Sequence, residues 1–91
     1  MVTKQVWKWV LSPRDLSTIQ VPTGAKFLHV GEQTGCICIW ALVDPAETKR
    51  EERTLRIAGT GHNISNGKFN YIGTVHLDGG SLIFHVFEAL Q

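Results

Sequence analysis

YIGTVHLDGGSLIFHVF, residues Tyr71 to Phe87, consists of two β-rich runs around Asp78-Gly79-Gly80. Glycine supplies the positive φ that a tight hairpin turn needs, and Ile, Val, Thr, Tyr and Phe suit a pleated, half-buried surface. The stretch predicts a β-hairpin. Side chains alternate between the two faces of a strand. Whether the turn centres on Asp78-Gly79 or on Gly79-Gly80, odd positions before it match even positions after it. One face is then Tyr71, Val75, Leu77, Leu82, Phe84 and Val86, nearly all hydrocarbon, and belongs to a core. The other mixes Ile72, Ile83 and Phe87 with Thr74, His76, Ser81 and His85, and reads as a wet surface, a second packed layer or an interface.

The most apolar run is CICIWALV, Cys36 to Val43, hydrophobic on both faces and therefore a central strand covered on two sides, by a second sheet or by another subunit. At the start, Lys4 to Leu11 alternates, with Trp7, Trp9 and Leu11 on one side. Two such rings at i, i+2 serve as core or interface anchors. Base stacking is the alternative, but it needs a cationic groove, and only Lys4 and Lys8 are near.

Turns at Ser12–Asp15, Pro22–Gly24 and Gln33–Gly35 separate further strands at Ser17–Val21 and Lys26–Glu32. In the second of these, Leu28 and Val30 lie opposite Phe27 and His29. Thr54–Ala58 is another, with Leu55 and Ile57 inward and Arg56 outward. Between them Asp44–Arg53, DPAETKREER, carries seven charges in ten residues and reads as a solvated loop, with a partner contact surface as the alternative. Gly59–Asn70 is a long loop. Its start, Gly59-Thr60-Gly61-His62, presents backbone N–H groups that suit an anion nest, but no Gly-Lys-Ser/Thr follows to make a phosphate-binding P-loop. Glu88–Gln91 reads as a tail. About seven short strands and no helix of ten residues predict one all-β domain over residues 1–91, an antiparallel sandwich or a partly closed barrel.

Composition narrows the function. With 43% hydrophobic and 19% charged residues the chain is folded rather than disordered. A formal net charge of +1 argues against a general nucleic-acid binder, which needs a basic excess, and against a DNA mimic, which needs an acidic one. No run is long enough to span a membrane. MVTKQVWKWV lacks the apolar core of a signal peptide, so a cytoplasmic location is expected. Cys36 and Cys38 lie along one strand, a poor geometry for a disulfide, and read as small buried hydrophobes. His76 and His85 share a face and invite a metal, but no ligand-spaced motif supports one. No acid–base pair or activated nucleophile has diagnostic spacing. The expectation is a non-enzyme without cofactor or metal. The two-sided strand and the mixed hairpin face exceed what one thin sheet buries, so a homo-oligomer is expected.

KQVWKWVL, VPTGAKFLHV, IWALVDP, IAGTGH and YIGTVHLDGGSLIFHVFE together resemble a family of small proteins of tailed phages and prophages, classed as a domain of unknown function. The resemblance covers nearly the whole chain. It supplies no catalytic residues. It implies a phage or prophage source, the cytoplasm of an infected bacterium, and an accessory role against host antiviral defence, for example CRISPR–Cas. Under that reading a host defence complex is the partner, contacted through Trp7, Trp9, Arg56 and the Lys49, Arg50 and Arg53 loop. The alternative is an oligomer that sequesters a cyclic-nucleotide signal, its phosphates held by Gly59, Thr60, Gly61 and His62 with Arg56 or Lys68. A minor structural or assembly protein of the phage particle is a third reading.

Overall fold

The computed structural model describes residues 3–90. Seven antiparallel strands form two sheets: β1 (Gln5–Val10), β2 (Leu16–Pro22), β3 (Lys26–Gln33), β4 (Cys36–Val43), β5 (Arg50–Gly59), β6 (Lys68–Leu77) and β7 (Leu82–Leu90). One sheet has the order β1-β4-β3 and the other β2-β5-β7-β6. The sheets face each other as a sandwich and do not close into a barrel. No helix among the described residues is long and apolar enough to cross a membrane.

The apolar run Cys36–Val43 is the centre of the three-stranded sheet. Ile37, Ile39, Ala41 and Val43 point inward and are buried. They meet Val21, Leu55, Ile57, Val75 and Val86 from the opposite sheet, all at most 5% exposed. Burying a side chain of this size contributes about 1.5–3 kcal/mol, so this layer dominates the stability. On the outer face Cys38 is buried, whereas Trp40 and Leu42 are half-buried and lie between Lys8 and His29 and between Val6 and Lys26. Cys36, expected to be buried, is exposed at the strand's start.

The hairpin of β6 and β7 pairs Leu77 with Leu82, Val75 with Phe84 and Thr74 with His85, a register centred on Gly79-Gly80. Its connection is a 3-10 turn, Asp78–Gly80, in which Asp78 has φ 51°, and Ser81 Oγ donates to Asp78 O at 2.9 Å. The expected core face holds at Val75, Leu77, Phe84 and Val86, and fails at Tyr71 and at Leu82, which is 49% exposed beside the turn. A register shift between Tyr71 and Gly73 turns Tyr71 to the outer face, where it is 59% exposed and meets Phe87 edge-on at 5.5 Å. A second shift, between Phe27 and His29, puts Phe27 and Val30 on the same inward side and His29 outward, its ring tilted at 38° to that of Trp40 with centres 5.8 Å apart.

Two expected loops are shorter than their composition suggests. The charged segment yields Arg50–Arg53 to β5, and the long loop yields Lys68–Asn70 to β6. Of the expected tail, Glu88–Leu90 is strand, and Gln91 lies outside the described residues. The charged strand residues alternate like any others. Glu51 and Arg53 lie on the inward face, where Arg53 Nη2 donates to Glu88 Oε1 at 2.8 Å, its Nε bonds Glu88 Oε2, and its Nη1 reaches Glu51 Oε1 at 3.2 Å. Arg53 also sits 4.5 Å from the centre of the Phe27 ring and donates to Ala25 O at 2.9 Å. A charge run that reads as solvated is therefore partly a clamp between sheets.

Candidate functional site

The sandwich has two long sides, and they differ. On one, edge strands β3 and β6 press together: a Cβ built on Gly73 would stand 2.7 Å from Val30 Cγ2. On the other, edge strands β1 and β2 stay apart and border a cleft of about 530 Å³, lined by Val6, Trp7, Lys8, Trp9, Gln20, Pro22 and Arg50. Strand alternation sends Trp7 and Trp9 inward from β1, where, on an edge strand bordering the open side, they pack against the core and stay half-buried. Their rings lie 6.3 Å apart at 51°. Trp7 Nε1 donates to Gln5 Oε1 at 2.9 Å, which holds the ring in place.

Arg50 enters the cleft because β5 begins there. Its guanidinium carbon is 5.9 Å from the Trp7 ring centre, within cation–π range, and Nη1 donates to Glu47 O at 2.8 Å. Among the described residues neither Arg50 nor Lys8 forms an ion pair. Lys8 instead reaches across the outer face of its sheet to Gln33 Oε1. The result is two indole rings and two cations with no carboxylate in the lining. Lys49 is exposed just before Arg50, and its carbonyl accepts from Thr23 N at 3.0 Å.

The other expected contact residues lie elsewhere. Arg53 is in the clamp between sheets, where the Glu88 hydrogen bond holds its guanidinium above the usual arginine range against the opposing effect of burial. Arg56 points away from the core, as its place in the alternation predicts, yet is 8% exposed. It donates to Ile57 O at 2.7 Å, Asn63 O at 2.9 Å and Asp15 O at 3.2 Å, and so ties loop 60–67 and the start of β2 to the sheet. Those donors are engaged within the fold.

Gly59, Thr60, Gly61 and His62 form a tight turn in which His62 N donates to Gly59 O at 3.0 Å. The His62 ring lies over Gly59, where a Cβ would come within 2.9 Å of it. Gly59, Thr60 and His62 line a cavity of about 390 Å³ with Ser81, Leu82, Ile83 and Phe84, and no lysine or arginine joins its wall. Lys68 stands apart, in a broad depression with Thr54, Phe69 and Leu90.

One constellation escaped the sequence reading. Thr60 Oγ1 is 2.8 Å from His85 Nε2, Thr74 Oγ1 is 3.0 Å from His85 Nδ1, and Tyr71 OH is 2.6 Å from Thr74 Oγ1. Both ring nitrogens of His85 thus meet hydroxyl groups, and which one carries the proton follows from how the hydroxyls orient. The Thr74–His85 pairing belongs to one of the two registers the sequence leaves open, the one centred on Gly79-Gly80; the partner at Thr60 was not visible at all, because it depends on where the loop lands. His76, one step along the same face, is exposed. Among the described residues no group of three His, Cys, Asp or Glu side chains is placed to hold a metal ion.

Neither a curated protein nor a solved structure matches the chain. A family model does match it, over residues 2–91, and the chain belongs to that family, described as Domain of unknown function (DUF7352).

Proposed function

We propose that this chain is a non-catalytic accessory protein that acts by binding another protein, with Trp7, Trp9 and Arg50 as the contact. The observation that carries the reading is the cleft between β1 and β2, where two half-buried indole rings and a cation without a carboxylate partner face solvent together. Tryptophan and arginine dominate binding hot spots, because a large rigid ring and a planar cation gain much from a partner's surface at low conformational cost. Arg56 drops out of the contact, since its donors are engaged within the fold. The resemblance to phage and prophage proteins directs the reading to host antiviral defence, with a complex such as CRISPR–Cas in the cytoplasm of an infected bacterium as the target.

Affinity capture from a bacterial lysate tests this, comparing the chain with Arg50→Glu and with Trp7→Ala, each checked for folding. The expected result is a specific protein recovered by the parent and lost with both variants. No specific partner, or a partner indifferent to both changes, overturns the reading.

A second reading is an oligomer that holds a cyclic nucleotide, and the cavity at Gly59, Thr60 and His62 favours it. The wall supplies hydroxyls, an imidazole and apolar surface, but no cation to meet a phosphate, so this reading ranks below the first. Self-association would use Trp40, Leu42 and Val6 on the outer face of the three-stranded sheet. Calorimetry with a panel of cyclic nucleotides discriminates the two readings, since heat that Arg50→Glu leaves unchanged supports the second alone.

A further inference from the structure

We propose that the free edge of β1 accepts an extended, acidic segment of the partner protein, which adds to the three-stranded sheet as a new strand beside Trp7 and Trp9. This rests on the protein-binding reading of the same cleft and names the form of what binds there.

An edge strand exposes unpaired backbone groups, and proteins blunt such edges with bulges, prolines or inward charges. Four strands here are edges: β1 and β3 in one sheet, β2 and β6 in the other. β3 carries a register shift between Phe27 and His29, and β6 one between Tyr71 and Gly73. β2 ends on Pro22, which has no N–H to donate. β1 has none of these devices. Its six residues pair with β4 without a break, from Gln5 opposite Val43 to Val10 opposite Cys38. Among the described residues its backbone bonds to no other strand.

Lysine on an edge is a further deterrent, and β1 contains Lys8. Its amine is drawn across the sheet to Gln33, away from the open edge. What remains is a sign preference rather than a block. Lys8 and Arg50 line the cleft with no carboxylate. A second copy of this chain would bring the same cations face to face, so its β1 is a poor occupant. A strand with carboxylates meets Arg50 favourably. Alternate residues of that strand would face the indole rings, as strand addition requires: main-chain bonds give affinity and side-chain pockets give selectivity.

The test uses the full chain and a random peptide library displayed on yeast. Sorted peptides are sequenced, and one is synthesised for hydrogen exchange and for affinity measurement with the parent and Arg50→Glu. Acidic, alternating peptides should be enriched. Amides of β1 should gain at least about tenfold protection on binding, as expected when exposed backbone groups enter a ladder. Arg50→Glu should weaken binding about tenfold or more, the scale of a charge reversal at a contact. Enrichment of peptides without acidic residues, or no enrichment, overturns the proposal. Binding sensitive to Arg50→Glu without protection of β1 overturns strand addition while leaving the cleft reading intact. A peptide-free dimer with β1 amides protected also overturns it, because the occupant is then a second copy.

Discussion

Replacing Arg53 by Met removes the guanidinium and keeps an apolar stem over Phe27. The loss leaves Glu88 facing the layer between sheets without its bidentate partner and Ala25 O without its donor. Removing one member of a fully buried pair costs about 3–5 kcal/mol. Here the side chains are 20% and 13% exposed, so water reaches both, and the cost falls to about 2 kcal/mol. For a domain of this size that lowers Tm by roughly 8–16 °C. Glu88→Met should cost a similar amount, because Arg53 keeps only Glu51 and Ala25. The double variant should lose far less than the sum, since neither charge is then left alone beside Leu55 and Phe27. The expected coupling is about 2 kcal/mol. Urea unfolding followed by tryptophan fluorescence measures all four proteins. Additivity within about 0.5 kcal/mol would refute the view that the pair acts as one buried unit. The linkage has a definite sign. The Arg53 value is raised on folding, so its contribution is fully present below the ordinary arginine range and disappears only as pH rises through the folded value. Stability from this pair should therefore not fall between neutral and moderately alkaline pH.

Gly73→Ala places a methyl group 2.7 Å from Val30 Cγ2 and should cost about 1–3 kcal/mol, with Val30→Ala partly restoring stability in the double variant; urea midpoints decide it. Thr34 holds φ 51° beside Gly35 at φ 80°, a turn that suits Asn-Gly, so Thr34→Asn should raise stability by about 0.5–1 kcal/mol in thermal unfolding. Thr74→Val keeps a β-branched shape but removes the hydroxyl between His85 and Tyr71. A loss of about 1 kcal/mol is expected in urea unfolding, and no loss would mean that the chain of hydroxyls does not hold the hairpin's outer face.

The hairpin's face parity and the central place of CICIWALV were legible because one rests on alternation and the other on an unbroken apolar run, both local properties, whereas the choice between the two hairpin registers was not. The errors sit where a distant contact overrides the local pattern. Tyr71 left the core face because a bulge lets Gly73 meet Val30 with no side chain between them, and Val30 is more than forty positions earlier. Nothing near Tyr71 records that contact. The REER segment looked like loop because charge usually marks solvent, and its partner Glu88 is thirty-five positions away. Starting β5 late, at Thr54, also hid the site. Trp7 and Trp9 were visible as a pair, but Arg50 reaches Trp7 only once β5 is known to begin at Arg50. Arg56 was placed on the correct face, and its burial by loop 60–67 was not readable, since it depends on where Asn63 O comes to rest.

The two sheets differ by one strand, three against four. With β3 seated on β6, counting across the sandwich pairs β4 with β7 and β1 with β5, and leaves β2 with no strand over it. Something must shield Ile19 and Val21, which are 9% and 0% exposed. Trp7, Trp9 and Leu11, directed inward from and just after β1, are the side chains large enough to do so, and the two rings remain half-exposed where a fourth strand would lie. That division of labour explains why tryptophan rather than valine stands at these positions: a ring can shield a neighbouring strand's core side chains and still offer a face to a partner. It also constrains mutation at the site. Trp9→Ala would uncover β2 as well as alter the contact, so its effect on binding mixes folding with recognition. Arg50→Glu changes the cleft's charge while leaving in place both rings that shield β2, which makes it the cleaner measure of whether a partner enters there.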